Sequence, residues 1–140
     1  MSNSPVHTPA AWRVHLLRSG YLLLVVGLGI VIWPGVIHHA THWSLMAGVE
    51  RSMLAALSAL SVLGLFYPLR MLPLLLFELL WKTIWLLAVA LPEWQANTMD
   101  ADMLETVYEC LGAVIFVVII PWPYVIRAYV LPAAAKPSAA

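Results

Sequence analysis

Residues 67–85 read YPLRMLPLLLFELLWKTIW and decide the fold class, because this almost continuous apolar stretch carries, beyond Arg70 near its start, two opposite charges in its middle. Glu78 and Lys82 are four residues apart and share one face of a helix, and this order of acid and base favours an ion pair. A lone charge at mid-membrane depth costs at least about 3 kcal/mol on insertion scales. The stretch therefore predicts a membrane-spanning helix that turns its charged face toward protein.

The whole chain has a composition that suits lipid better than water. Of its 140 residues, 63% are hydrophobic and 10% are charged, whereas soluble domains average about 25% charged residues. We expect an all-α polytopic membrane protein in contact with the lipid bilayer. Seven basic residues balance seven acidic ones, which removes the usual electrostatic case for nucleic-acid binding. The lone Cys110 excludes an intramolecular disulfide, a CxxC redox pair and a cysteine-based zinc site.

Four apolar runs are long enough to cross about 30 Å of hydrocarbon. They cover residues 17–37, 44–66, 69–91 and 103–120, and prolines punctuate their ends, with Pro34 closing the first run and Pro92 the third. The first run shows no cleavage pattern, so we expect it to be retained as a span. The prediction is one membrane domain over residues 1–140, an antiparallel four-helix bundle with disordered tails at 1–10 and 132–140.

The cations predict the orientation of the chain. Arg13 and Arg18 precede the first span, Arg70 separates the second from the third, and Arg127 and Lys136 follow the fourth. With four spans, all of these positions fall on one side of the membrane. The positive-inside rule then places both termini in the cytoplasm, and a bacterial inner membrane fits this arrangement best.

Ionisable residues of three spans fall at similar depths. Lys82 lies about 15 Å, Arg51 about 10 Å and Glu109 about 9 Å from the outer ends of their spans, and a lysine stem can bridge much of the difference. We predict a connected intramembrane polar network of Glu50, Arg51, Glu78, Trp81, Lys82, Trp85 and Glu109. Two interpretations of its Glu78–Lys82 pair remain open, a structural ion pair that fixes helix register and a site for a proton or ligand.

Three histidines form an HHxxH motif at the outer end of the first span, at His38, His39 and His42. If the helix continues through them, His38 and His42 share a face and could bind Zn or Cu(II), with acids of the third loop completing the shell. Pro34 and Gly35 favour the alternative of solvated histidines at the interface. We expect no cofactor, and an outward-facing zinc or copper ion is the alternative.

Residues 67–85, together with Trp33-Pro34, His38-His39 and Pro121-Trp122, resemble a group of small bacterial inner-membrane proteins with four helices and no assigned activity. The resemblance covers about residues 12–130; it implies the fold and the membrane, and it implies no site residue. A DoxX-like arrangement agrees in size and topology only. Small multidrug exporters need a glutamate in the first helix, and disulfide-generating membrane enzymes need cysteine pairs; both features are absent from this sequence.

The sequence contains no nucleophile–base pair, no phosphate-binding loop and no strong metal-ligand spacing. This favours a non-enzymatic accessory or structural subunit of a larger membrane complex, or a homo-oligomer. The alternative is a small proton-coupled transporter in which Glu78 titrates, Lys82 is its counter-charge, and Trp81 and Trp85 line the path. A weaker alternative is a periplasm-facing metal-binding membrane enzyme that uses the three histidines.

Overall fold

The structure, a computed structural model, describes residues 9–38 and 42–131, and all regular structure in these ranges is helical. The five helices are α1 Ala11–Ile37, α2 Leu45–Phe66, α3 Leu72–Gln95, α4 Ala101–Ile119 and α5 Trp122–Val130. By length and composition α1, α2 and α3 can each cross a membrane, and α4 with α5 is a fourth candidate span bent by 76°. The all-helical class is confirmed, and three to four candidate spans agree with a membrane protein. The predicted tails lie almost entirely outside the described residues.

Helix α1 is longer than the apolar run that predicted it. It begins at Ala11, six residues before the predicted span, because the apolar pattern marks only the part of a helix that meets lipid. The prediction that Pro34 closes the helix is wrong, since Pro34 lies inside α1 and its carbonyl accepts the amide of His38 at 3.0 Å. The proline removes one backbone hydrogen bond, the one to the Ile30 carbonyl, and the helix runs on to Ile37, where the sequence predicted the end of the first span.

Helices α1 and α2 form the closest helix pair. Ser44 caps the start of α2 by accepting the Ala47 amide at 3.2 Å. Near the other end of α2, the Cα of Gly64 lies against the ring of Tyr21 in α1, with no room for a Cβ. A glycine at this place lets the two backbones approach, as small residues do between membrane helices.

Helix α3 continues past its predicted end at residue 91. Pro73 lies in its first turn, where the missing amide costs no hydrogen bond. Residues Leu86–Ala90 form a wider π-helical turn in which the Leu91 amide donates to the Leu86 carbonyl. This wider turn comes directly before Pro92 and accommodates its ring, so the helix reaches Gln95.

Helix α4 is interrupted. Asp100 caps its start by accepting the Met103 amide at 2.8 Å. The α-helical ladder breaks at Gly112, where the next amide turns back to the Cys110 carbonyl at 3.0 Å, and the ladder resumes at Val114. The predicted interruption at Pro121 is confirmed, because α4 ends at Ile119 and the chain bends into α5. Sequence analysis did not predict α5.

The first four helices pack in a closed cycle of neighbours, α1 on α2, α2 on α3, α3 on α4 and α4 on α1. A buried apolar core joins α1, α3, α4 and α5. The Tyr21 hydroxyl donates to the Pro68 carbonyl at 2.8 Å, and Gly20 faces Ile119 of α4. The start of α1, the α2–α3 link and the end of α4 therefore lie together at one end of the molecule.

Candidate functional site: a charge triad beside a lateral cavity

The Glu78 carboxylate is the most deeply buried charge among the described residues, with its residue 0% exposed. Its Oε2 accepts the indole N–H of Trp81 at 2.7 Å, and its Oε1 lies 2.6 Å from the Lys82 ammonium. Among the described residues, Oε1 therefore has an ionic partner and no additional hydrogen-bond donor. Both partners come from the next turn of the same helix.

Glu78, Trp81 and Lys82 form a charge triad in which every pair interacts. The Lys82 ammonium lies 5.4 Å from the centroid of the Trp81 ring, which is within cation–π distance. The side chain of Lys82 is 16% exposed and that of Glu78 is 1% exposed. The positive member thus lies nearer the surface, and the negative member is enclosed by protein.

A cavity of about 330 Å³ adjoins the charge triad and is lined by residues of all four packed helices. Glu78 and Lys82 form part of its wall, and Glu109 of α4 also lines it. Exposed lining residues belong to α1 and α4, including Leu23 and Gly112. We call this space the lateral cavity, because it opens sideways between α1 and α4 toward the surface that a membrane would cover.

Glu109 differs from Glu78, because its carboxylate has no hydrogen-bond or ion-pair partner in the part of the chain that the structure describes. It is exposed, and it makes no hydrogen bond or ion pair with any residue in the described ranges. It lies eight residues after Ala101, which places it about 12 Å along α4. A carboxylate at that depth is expensive in lipid unless water, a proton or a cation reaches it.

Within residues 9–38 and 42–131, no side-chain hydrogen bond or ion pair joins Glu50, Arg51 or Trp85 to the charge triad. Arg51 lies over the Trp43 ring, 5.2 Å from its centroid. Glu50 is exposed and lines a different groove between α2 and α3, which also includes Trp81. Trp85 is half-buried and does not line the lateral cavity. Adjacent helical residues point about 100° apart, which explains why Glu50 and Arg51 face different surroundings.

His38 and His42 do not share a helix face. Helix α1 ends at Ile37, His38 follows its last turn, and His42 has a left-handed backbone with φ 88°. His39 lies outside the described residues. Among residues 9–38 and 42–131, no three His, Cys, Asp or Glu side chains are grouped so that they could hold a metal ion. The metal-binding hypothesis stays a prediction.

Comparison with known proteins gives no family: no protein-family model, no curated protein and no solved structure matches this chain. The resemblance to small four-helix membrane proteins stays a prediction.

Sequence analysis missed one further group of polar residues. At the end of the molecule where α1 begins, Arg13 and Arg127 line a second cavity of about 200 Å³. The positive-inside rule placed both arginines on one side of the membrane. No local pattern could pair them, because they come from opposite ends of the chain.

Proposed function

We propose that this protein is a non-catalytic subunit of a bacterial inner membrane that assembles sideways with another membrane protein or with a copy of itself. The proposal is supported by a difference between the two carboxylates that line the lateral cavity, Glu78 and Glu109. Glu78 has both of its partners on its own helix, whereas Glu109 is exposed and has no partner among the described residues. A neighbouring protein that offers a cation or a hydrogen-bond donor would satisfy Glu109 better than lipid does.

The proposed fold is an antiparallel bundle of four spans with both termini in the cytoplasm. The closed cycle of helix neighbours supports the bundle. The contacts of Tyr21 with Pro68, and of Gly20 with Ile119, support alternating helix directions. These contacts group Arg13, Arg18, Arg70 and Arg127 near one end, which the positive-inside rule assigns to the cytoplasm.

Photo-cross-linking in cells tests the assembly. Leu23 and Leu22 of α1 are similarly exposed, at 49% and 51%, but only Leu23 lines the lateral cavity. We expect a photoreactive residue at position 23 to give a discrete protein adduct, and the matched probe at position 22 to give none. An adduct of twice the chain's mass identifies a second copy, and any other discrete mass identifies a different subunit.

Two carboxylate variants decide whether Glu109 contributes to this assembly. Glu109→Gln removes the charge at the cavity and should abolish the position-23 adduct. Glu105→Gln removes an exposed charge one turn earlier in α4 and should leave the adduct unchanged. Equal adducts from positions 22 and 23, no adduct from either, or an adduct that survives Glu109→Gln would contradict the proposal.

A small proton-coupled transporter is the second candidate, because the lateral cavity brings Glu78, Lys82 and Glu109 to one space. In this function Glu78 titrates and Lys82 is its counter-charge. Infrared difference spectra of the membrane-reconstituted protein at acidic and alkaline pH test it. A protonated-carboxyl band that disappears in Glu78→Gln supports the transporter. A Glu78 carboxylate that stays ionised throughout supports the structural pair.

A further inference from the structure

We propose that the cavity between the start of α1 and helix α5 binds the phosphate of an anionic phospholipid headgroup. We call this space the elbow cavity. It has a volume of about 200 Å³, and its lining includes Trp12 and Arg13 from α1 and Tyr124 and Arg127 from α5. Arginine carries a planar fork of donors that matches the oxygens of a phosphate.

No acidic side chain of this chain is available to neutralise the elbow cavity. All seven Asp and Glu residues fall between positions 50 and 109, and none lines this space. Among residues 9–38 and 42–131 the ion pair is Glu78–Lys82, so neither Arg13 nor Arg127 has an acidic partner there. Two guanidinium groups that share a concave site without a counter-charge favour an anion from outside the chain.

The first guanidinium is held in place before any anion arrives. The Arg13 guanidinium lies 4.8 Å from the centroid of the Trp12 ring, a cation–π contact that leaves its N–H groups free to donate. Helix α1 also starts here without a side-chain cap and without an acid in its first turn. The partial positive charge of the helix start therefore adds to that of the arginines.

The bend of the chain places the elbow cavity at the level of lipid headgroups. Helix α5 turns 76° away from α4. If α4 crosses the bilayer, α5 lies close to the membrane plane, with the aromatic rings of Trp122, Tyr124 and Tyr129 at the depth that such rings prefer. Trp12 is 61% exposed at the same end of the molecule. A phospholipid phosphate is the anion most abundant at that depth, which favours it over a soluble phosphate.

Native mass spectrometry of the full chain in detergent micelles measures this binding, because a micelle of neutral detergent has no bilayer surface charge. The probes are phosphatidylglycerol, phosphatidylcholine and inorganic phosphate. We expect one phosphatidylglycerol to be retained, with about tenfold preference over phosphatidylcholine. Arg127→Gln should weaken retention by about tenfold, since charge-assisted hydrogen bonds are lost. Arg13→Gln combined with Arg127→Gln should abolish it.

Matched variants distinguish lipid binding in the elbow cavity from a general effect of positive charge at this end of the molecule. Arg18→Gln and Arg70→Gln each remove one cation from the same end, and neither residue lines the elbow cavity; both should retain the lipid. If Arg13→Gln fails to fold, the Arg127→Gln result alone decides the test, because the exposed side chain of Arg127 makes no hydrogen bond or ion pair to a described residue. Equal losses in all four arginine variants would overturn the proposal. So would binding of inorganic phosphate without retention of phosphatidylglycerol, which would identify the site's anion as a soluble phosphate.

Discussion

Tyr21 of α1 lies with its ring against the Cα of Gly64 in α2, at a place where a methyl group on Gly64 would overlap ring atoms. The same side chain donates its hydroxyl hydrogen to the Pro68 carbonyl. One buried tyrosine of α1 thus contacts both the end of α2 and the link between α2 and α3. This relationship gives the first prediction.

Gly64→Ala should destabilise the protein by about 1–3 kcal/mol, because the added methyl overpacks a buried helix contact. Gly48→Ala is the matched control in the same helix, since a Cβ there meets nothing within 4 Å. That control should be neutral or stabilising by up to about 1 kcal/mol through helix propensity. Thermal unfolding of both variants in the same detergent measures the difference. Equal stabilities would contradict the close packing of α1 and α2.

The charge triad should behave as one energetic unit. Glu78→Gln and Lys82→Met each leave a partner without its counter-charge, so each single variant should lose more stability than the double variant. A double-mutant cycle on unfolding free energies should give a coupling of several tenths to about 2 kcal/mol. Lys82→Met with Glu105→Gln is the control cycle and should show no coupling. If the effects of Glu78→Gln and Lys82→Met on the unfolding free energy are additive, the pair does not have a structural role.

The thiol of Cys110 should be protected in the folded protein, because the residue is only 2% exposed. Its reaction with N-ethylmaleimide should be at least about tenfold slower than that of an exposed thiol, since modification waits for local opening. Tyr108→Cys in a Cys110→Ser chain supplies the comparison, because Tyr108 is 66% exposed on the same helix. Mass spectrometry of timed samples gives both rates. Similar rates would show that α4 packs differently.

The start of α4 should depend on the acceptor at position 100. Asp100→Ala removes the cap on the Met103 amide and should cost about 1 kcal/mol of unfolding free energy. Asp100→Asn keeps a capping oxygen and should stay within a few tenths of wild type, about 0.3 kcal/mol. Chemical unfolding in one detergent compares the two. An equal loss in both variants would assign the effect to charge rather than to capping.

The proposed orientation predicts which loops are reached from outside the cell. In a Cys110→Ser chain, Ala96→Cys marks the exposed end of α3, and Tyr67→Cys marks the exposed α2–α3 link. A membrane-impermeant maleimide applied to intact cells should label position 96, and should label position 67 only after permeabilisation. The reverse pattern would place the termini outside. Labelling of both positions in intact cells would rule out an alternation of sides between them.

Hydropathy and helical spacing predicted the all-helical class, and the three to four candidate spans agree with a membrane protein, because both are local properties. Glu78 and Lys82 could be paired from a spacing of four residues. Trp81 was placed on the same face by the same rule. The continuation of α3 through Pro92 was missed, because a π-helical turn upstream compensates for the proline and has no clear sequence signature.

Contacts between segments that are distant in the sequence were not predicted. The sequence does not show that Arg51 turns to Trp43, since adjacent residues on a helix give no information about which neighbour each one meets. Likewise, Arg13 and Arg127 are brought together by the bend at Pro121, whose angle depends on packing against the core through Val125. Pro121 predicted a break in the helix, but a break alone does not determine the direction in which the following helix α5 runs.

The position of Lys82 and Trp81 on Glu78's own helix has a consequence for how the protein is made. Because the carboxylate finds both partners within one turn, α3 would enter a membrane with its two buried charges already paired. Neither charge would need a partner from α1 or α2, the helices made before it. No described residue of α4 offers Glu109 such a companion, so if α4 spans a bilayer, the proposed assembly would be what stabilises its carboxylate there.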